Sequence, residues 1–134
     1  MRRVRELLAD ERGSAVVEFS LVSVVLVALV LAVLQLALAL HIRNTVLDAA
    51  AEGARYAALA DNSLDDGVQR TRDLITTALG PAYASDVSAE YATYAGLPST
   101  EVRVRSPLPL AGLLGPDRAL EVTGHAARES LGGG

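Results

Sequence analysis

The chain has 134 residues, 51% of them apolar but only 4% aromatic, with no Trp and a single Phe. It has no Cys, which excludes a disulfide framework and a thiolate metal site. A formal net charge of −4 argues against nucleic acid as a partner.

Charge is unevenly placed. Residues 1–13 hold four Arg against Glu6, Asp10 and Glu11, whereas residues 14–134 hold eight Arg against thirteen acids. The stretch that follows, Phe19 to Leu40, has no formal charge and is interrupted only by Ser20, Ser23 and Gln35. As a helix it extends roughly 33 Å at about 1.5 Å per residue, enough to cross a hydrocarbon core of about 30 Å. Its many Val residues are no obstacle in lipid, where every backbone group must be bonded internally. A buried helix of a soluble domain is the alternative, but nothing downstream is large enough to bury one this apolar. Arg2, Arg3, Arg5 and Arg12 precede the span, so the positive-inside tendency puts the N-terminus in the cytoplasm and the chain from His41 onward outside. Arg43 and Arg55 weaken this asymmetry without reversing it.

Two other readings of the span stay open. Ala37-Leu38-Ala39 fits a signal-peptidase site, which would release a secreted protein cut after Ala39. Against it, the apolar run is longer than the usual signal core of about 7–15 residues and lacks turn formers near Ala39. The span can also be an uncleaved anchor for an extracytoplasmic binding module.

Helical spacing continues past the span. Ile42, Val46, Ala49, Gly53, Ala57 and Ala60 recur three or four residues apart, which predicts one rod from about Ser14 to Ala60. Within it Ala49, Gly53 and Ala57 form a ridge of small residues that lets another helix or the head domain approach closely. Two partners are open for this ridge, the chain's own head and the helices of partner subunits.

A turn at Asp61-Asn62 leads to a second helix. Ser63 is its predicted cap, Asp65 and Asp66 sit near its positive end, and Gly80-Pro81 stops it. Leu64, Val68, Thr71, Ile75 and Leu79 fall on one face. Three alternating segments follow and predict strands at Val87–Tyr94, Glu101–Arg105 and Leu120–Ala126. Ser106 to Asp117 is rich in Pro and Gly and reads as a loop. Its Leu108, Leu110, Leu113 and Leu114 have either the helix or an outside surface to dock on. The expected fold class is thus α+β: a long N-terminal helix, membrane-spanning in its first half, then a short helix and a small antiparallel sheet of about three strands. The expected divisions are 1–13, 14–60, 61–128 and a flexible tail, 129–134.

No catalytic constellation is apparent. His41 and His125 are isolated from any ligand spacing, so no metal site and no cofactor is expected; His125 reads as a solvent-facing strand residue. Neither a P-loop nor a nucleophile elbow occurs. Asp65, Asp66 and Asp73 fit a solvated helix face better than an acid–base pair. An enzyme is not expected.

Within "DERGSAVVEFSLV", Asp10 to Val22, a basic leader ends at Gly13, and Glu18 is the fifth residue counted from Ser14. This arrangement resembles the N-terminus of type IV pilins. The resemblance implies cleavage after Gly13 by a prepilin peptidase on the cytoplasmic side, making Ser14 the new first residue. It also maps the family's glutamate onto Glu18 and its frequent aromatic onto Phe19. A second block, "DAAAEGARYAALAD" from Asp48 to Asp61, resembles TadE-like proteins, minor pilins or pseudopilins of the tight-adherence pilus system. Chain length and a Val-rich C-terminal part favour TadE-like over the shorter major pilin. The partners implied are the membrane, the prepilin peptidase, other pilins or pseudopilins and the inner-membrane assembly platform. The implied location is the cell membrane, single-pass, and possibly the pilus itself.

Overall fold

The structure, a computed structural model, describes residues 2–108 and 119–128. The expected tail and Leu110, Leu113 and Leu114 of the expected loop lie outside the described residues. Helix α1 (Arg2–Ala58) is followed by α2 (Leu64–Leu79), a 3-10 turn (Pro81–Ala84) and the strands β1 (Asp86–Tyr94), β2 (Leu97–Pro107) and β3 (Ala119–Ala127). The fold is α+β, a long helix, a short helix and a three-stranded antiparallel sheet in the order β1-β2-β3. The chain forms two compact units, Met1–Ala37 and Leu38–Gly134, and α1 contributes to both.

Helix α1 begins at Arg2, earlier than the rod expected from Ser14, and ends at Ala58 where Ala60 was expected. The early start follows from a leader of Arg, Glu, Leu and Ala, good helix formers that meet no breaker before Gly13. At the other end the Asn62 side-chain amide donates to the Tyr56 carbonyl at 2.8 Å, and the Asn62 N–H to Leu59 O at 3.1 Å. These bonds take up carbonyls that the last turn leaves free.

In the first unit the apolar side chains of α1 are exposed, from Val16 at 64% to Leu36 at 60%. The second unit holds the core. Ile42, Val46, Ala49, Ala50 and Ala54 of α1 pack with Ile75 of α2, Ala84 of the turn, and Val87, Val102, Val104 and Val122 of the sheet. Helix α2 starts on a capping box. The Asp66 N–H donates to Ser63 Oγ (3.3 Å), and the Ser63 N–H donates to Asp66 Oδ2 (2.8 Å). The helix stops at Gly80, whose N–H donates to the Ile75 and Thr76 carbonyls. Its buried residues are Gly67, Thr71 and Ile75, while Val68, Leu74 and Leu79 are partly covered.

Alternation sorts the sheet into two faces. Thr100, Val102, Val104 and Ser106 of β2 are buried towards the helices; Arg103 and Arg105 are exposed on the outer face. The expected loop began at Ser106, but β2 runs on to Pro107. Ser106 is buried because its hydroxyl donates to Tyr83 O at 2.6 Å, tying β2 to the 3-10 turn. β2 also starts at Leu97, four residues earlier than its charge alternation indicated. The start is fixed by the hairpin: Tyr94 pairs with Leu97 across Ala95 (φ +52°) and Gly96 (φ +79°), the two positive φ values of a type I′ turn.

Ala is a costly residue in that left-handed region, whereas Asn tolerates it. Ala95→Asn is expected to stabilise the second unit by about 1 kcal/mol, read as a raised thermal midpoint of the detergent-solubilised chain.

Candidate functional site

Gly13, Ser14, Glu18 and Phe19 lie on one uninterrupted stretch of α1, and all four are exposed; Phe19 is 74% exposed. A Cβ at Gly13 would meet nothing within 4 Å. Ser14 and Glu18 are four residues apart, so they share a helix face about 6 Å apart along the axis. Among the described residues Glu18 has no ion-pair partner in its own chain. Beyond it the most apolar 18-residue window of α1 has mean hydropathy 2.9 and is 0% buried. By length and composition this helix can cross a membrane.

Ala49, Gly53 and Ala57 lie in the second unit and are buried. Their close neighbour is α2. A Cβ at Gly53 would collide with Thr71 Oγ1 and come within 2.8 Å of Gly67 O. In return, a Cβ at Gly67 would lie 2.5 Å from Ala57 Cβ and 2.8 Å from Gly53 O. The two helices therefore touch backbone to backbone, through glycine on each side. The sheet does the same at Gly124, where a Cβ would lie 2.5 Å from the Ala50 carbonyl carbon and the Ala51 nitrogen. Thr71 stays compact at this crossing because its hydroxyl donates to Gly67 O at 2.8 Å.

Thr71 was on the expected face of the second helix, but Gly67 and Gly124 were not singled out as packing residues by sequence. A signal existed for the two glycines: each interrupts a run of regular structure at a cost relative to Ala of up to about 1 kcal/mol, which marks close backbone approach.

His125 stands on the outer face of its strand, as expected, but is half-buried there, its side chain 29% exposed. Its ring stacks on Tyr94 (centroids 4.5 Å, 18° between planes), and its Nδ1 lies 3.7 Å from Glu101 Oε2. On the same outer face Arg103 gathers Glu101 at 2.8 Å, Glu121 at 3.4 Å and Glu90 at 3.9 Å. These pairs join three strands. The pairs of Arg103 with Glu90 and Glu121 are largely exposed and each contributes little to stability, on the order of 1 kcal/mol or less, whereas Glu101 is mostly covered. Among the described residues no group of three or more His, Asp or Glu is placed to hold a metal ion.

A long apolar helix that suggests membrane anchoring, followed by a short helix and a small sheet packed on its C-terminal part, defines an α+β protein with one candidate membrane helix among the described residues. Residues 13–55 match the TadE-like protein family, a pilus-related and structural kind of protein rather than an enzymatic one. The match runs from Gly13 through the apolar stretch and the small-residue ridge to Arg55. No curated protein and no solved structure matches the chain.

The glycine contacts make a direct prediction. Gly53→Ala places a methyl on Thr71 Oγ1 and is expected to cost about 2–3 kcal/mol as overpacking, with Gly53→Leu costing more. Adding Thr71→Ala to Gly53→Ala should recover part of the loss, since the colliding hydroxyl is gone. Denaturant midpoints of the three variants measure both effects.

Proposed function

We propose that the chain is a pilin-like minor subunit or assembly factor of a tight-adherence type pilus, cut after Gly13 and held by its N-terminal helix. The observation that carries this reading is where the family match starts: at Gly13, the residue that the leader pattern makes the cleavage position. Orientation follows from the four Arg of the leader, with the N-terminus in the cytoplasm and the α+β unit outside.

The chemistry of maturation supports a role for Glu18. An ionised carboxylate at the centre of a membrane helix costs roughly 2.5–3.5 kcal/mol, and less near an end. Cleavage after Gly13 frees an ammonium at Ser14, one turn from Glu18. Two mature helices staggered by about a turn place the ammonium of one beside Glu18 of the other. The pairing turns a solvation penalty into a contact that sets register. Phe19 stands at the same level and contributes apolar contact to the neighbour. Gly13 serves the peptidase as well. As an exposed glycine it lets the helix open at lower cost than its neighbours in the leader, and a Cβ there would meet nothing within 4 Å. The partners on this reading are the prepilin peptidase, other pilins or pseudopilins, and the inner-membrane assembly platform.

The N-terminal sequence of the mature chain tests the reading. Ser14 as first residue is the expected result; an intact leader leaves an uncleaved anchor, and Leu40 a secreted protein. In cells making the whole apparatus, Gly13→Leu should accumulate the chain longer by thirteen residues. Glu18→Ala should still be cut but fail to assemble, and normal assembly of that variant removes the pairing role.

A further inference from the structure

The helix layer and the sheet of the second unit differ in width. Three strands about 4.8 Å apart cover about 14 Å. Two helices in backbone contact, about 8 Å between axes and each about 10 Å across, cover about 18 Å. The excess is close to the width of one strand. It forms a groove of about 560 Å³ beside β3, lined by Ala51, Arg55 and Ala58 of α1, by Leu59 just after it, and by His125 to Ala127 of β3.

The strand bordering this groove has an unpaired edge. The Arg128 N–H donates to Pro98 O at 3.1 Å, one step beyond the Ser99–Ala127 pair, which sets the alternation of the β2–β3 ladder. Pairs in phase with Pro98–Arg128 are hydrogen-bonded, so the N–H and C=O of Glu121, Thr123, His125 and Ala127 turn away from β2. Among the described residues nothing pairs with them. Its protection is light among the described residues: β3 has no Pro, no Lys and no bulge over its nine residues, and Glu121 is its one carboxylate.

We infer that the outer edge of β3 takes up one extended strand of a partner protein. The partner segment carries small or β-branched side chains on its groove side and one carboxylate there. Backbone groups of Glu121 to Ala127 supply the ladder, the alanine floor sets the size of the inserted side chains, and Arg55 reads the carboxylate. Arg55 is available for this: its side chain is 70% exposed and its contact with Glu52 is long, at 3.9 Å. Charge therefore selects an acidic segment.

The groove suits a bare strand better than a second copy. Antiparallel β3–β3 pairing needs a twofold axis normal to the sheet, which reverses the α1 segments packed on it, so the two Leu38 ends face away from each other. Pairing with β1 of a copy brings that strand's own α2 backing, whereas the overhang has room for a bare strand. The inference does not depend on cleavage after Gly13.

The test uses the full chain in detergent micelles and a synthetic nine-residue peptide, Thr alternating with Val or Ala and one central Glu on the Val/Ala face. Amide exchange at Thr123, His125 and Ala127 should slow at least tenfold when the peptide is added. Thr123→Pro removes an N–H that β2 does not use, and should abolish the effect. Arg55→Glu, at an exposed site that leaves folding intact, should weaken the Glu peptide about tenfold and favour a Lys version. The proposal is overturned if those amides are already protected in the monomer, which assigns the edge to the chain's own segments. Protection that grows with protein concentration alone, assigning it to a second copy, or no peptide response at millimolar concentration also overturns it.

Discussion

Everything in the second unit rests on the approach of three backbones through glycine. Gly53 of α1 meets Gly67 of α2, and Gly124 of β3 meets Ala50 and Ala51. A core built mainly of Ala, Val and Ile has few large side chains with which to bridge elements, and none of its fully buried residues is aromatic. Such a core reaches native density only if the elements move closer together. Glycine at the crossings permits that, and alanine beside each crossing fills the remaining volume.

The same helix faces two different environments. Between Phe19 and Leu40 it has an apolar side chain at almost every position, and its most apolar window is 0% buried among the described residues, which makes it a candidate for lipid. From Ile42 onward only one stripe is apolar and small, and that stripe seats the α+β unit. A single helix thus combines an anchor with the largest piece of the domain's core. The small domain, with few aromatics and no disulfides, gains from this arrangement because the helix arrives already formed and brings Ile42, Val46, Ala50 and Ala54 in register.

The outer face of the sheet follows another logic. Arg103 stands among Glu90, Glu101 and Glu121, balancing carboxylates that would otherwise repel across three strands. At the far end of that face His125 lies against Tyr94 and covers the sheet where no helix does. Among the described residues the outer edge of β3 is unpaired beside a shelf of alanines. Backbone groups of that edge and the groove beside it are the two elements on which the proposed strand addition draws.

Much of this could be read from residue order. The uncharged run after four Arg, the Ser63 cap with Asp66 three residues on, the Gly80-Pro81 stop and the alternation around Val102 and Val104 are local signals, each set by interactions within a few residues. The Gly13–Ser14–Glu18 pattern is local too, and with the Asp48–Asp61 block it pointed to the family later matched over residues 13–55. What stayed hidden was non-local. β2 begins at Leu97 because a tight turn at Ala95-Gly96 pairs it to Tyr94, and Ser106 is strand because Tyr83, 23 residues earlier, offers a carbonyl. Gly67 and Gly124 acquire meaning only when Gly53, Ala57 and Ala50 come up against them. Sequence by itself determined the helices, the span and the number of strands, since backbone propensity and apolar spacing act along the chain. Tertiary structure decided which small residues touch and which edge stays open, because both depend on distances between segments far apart in the chain.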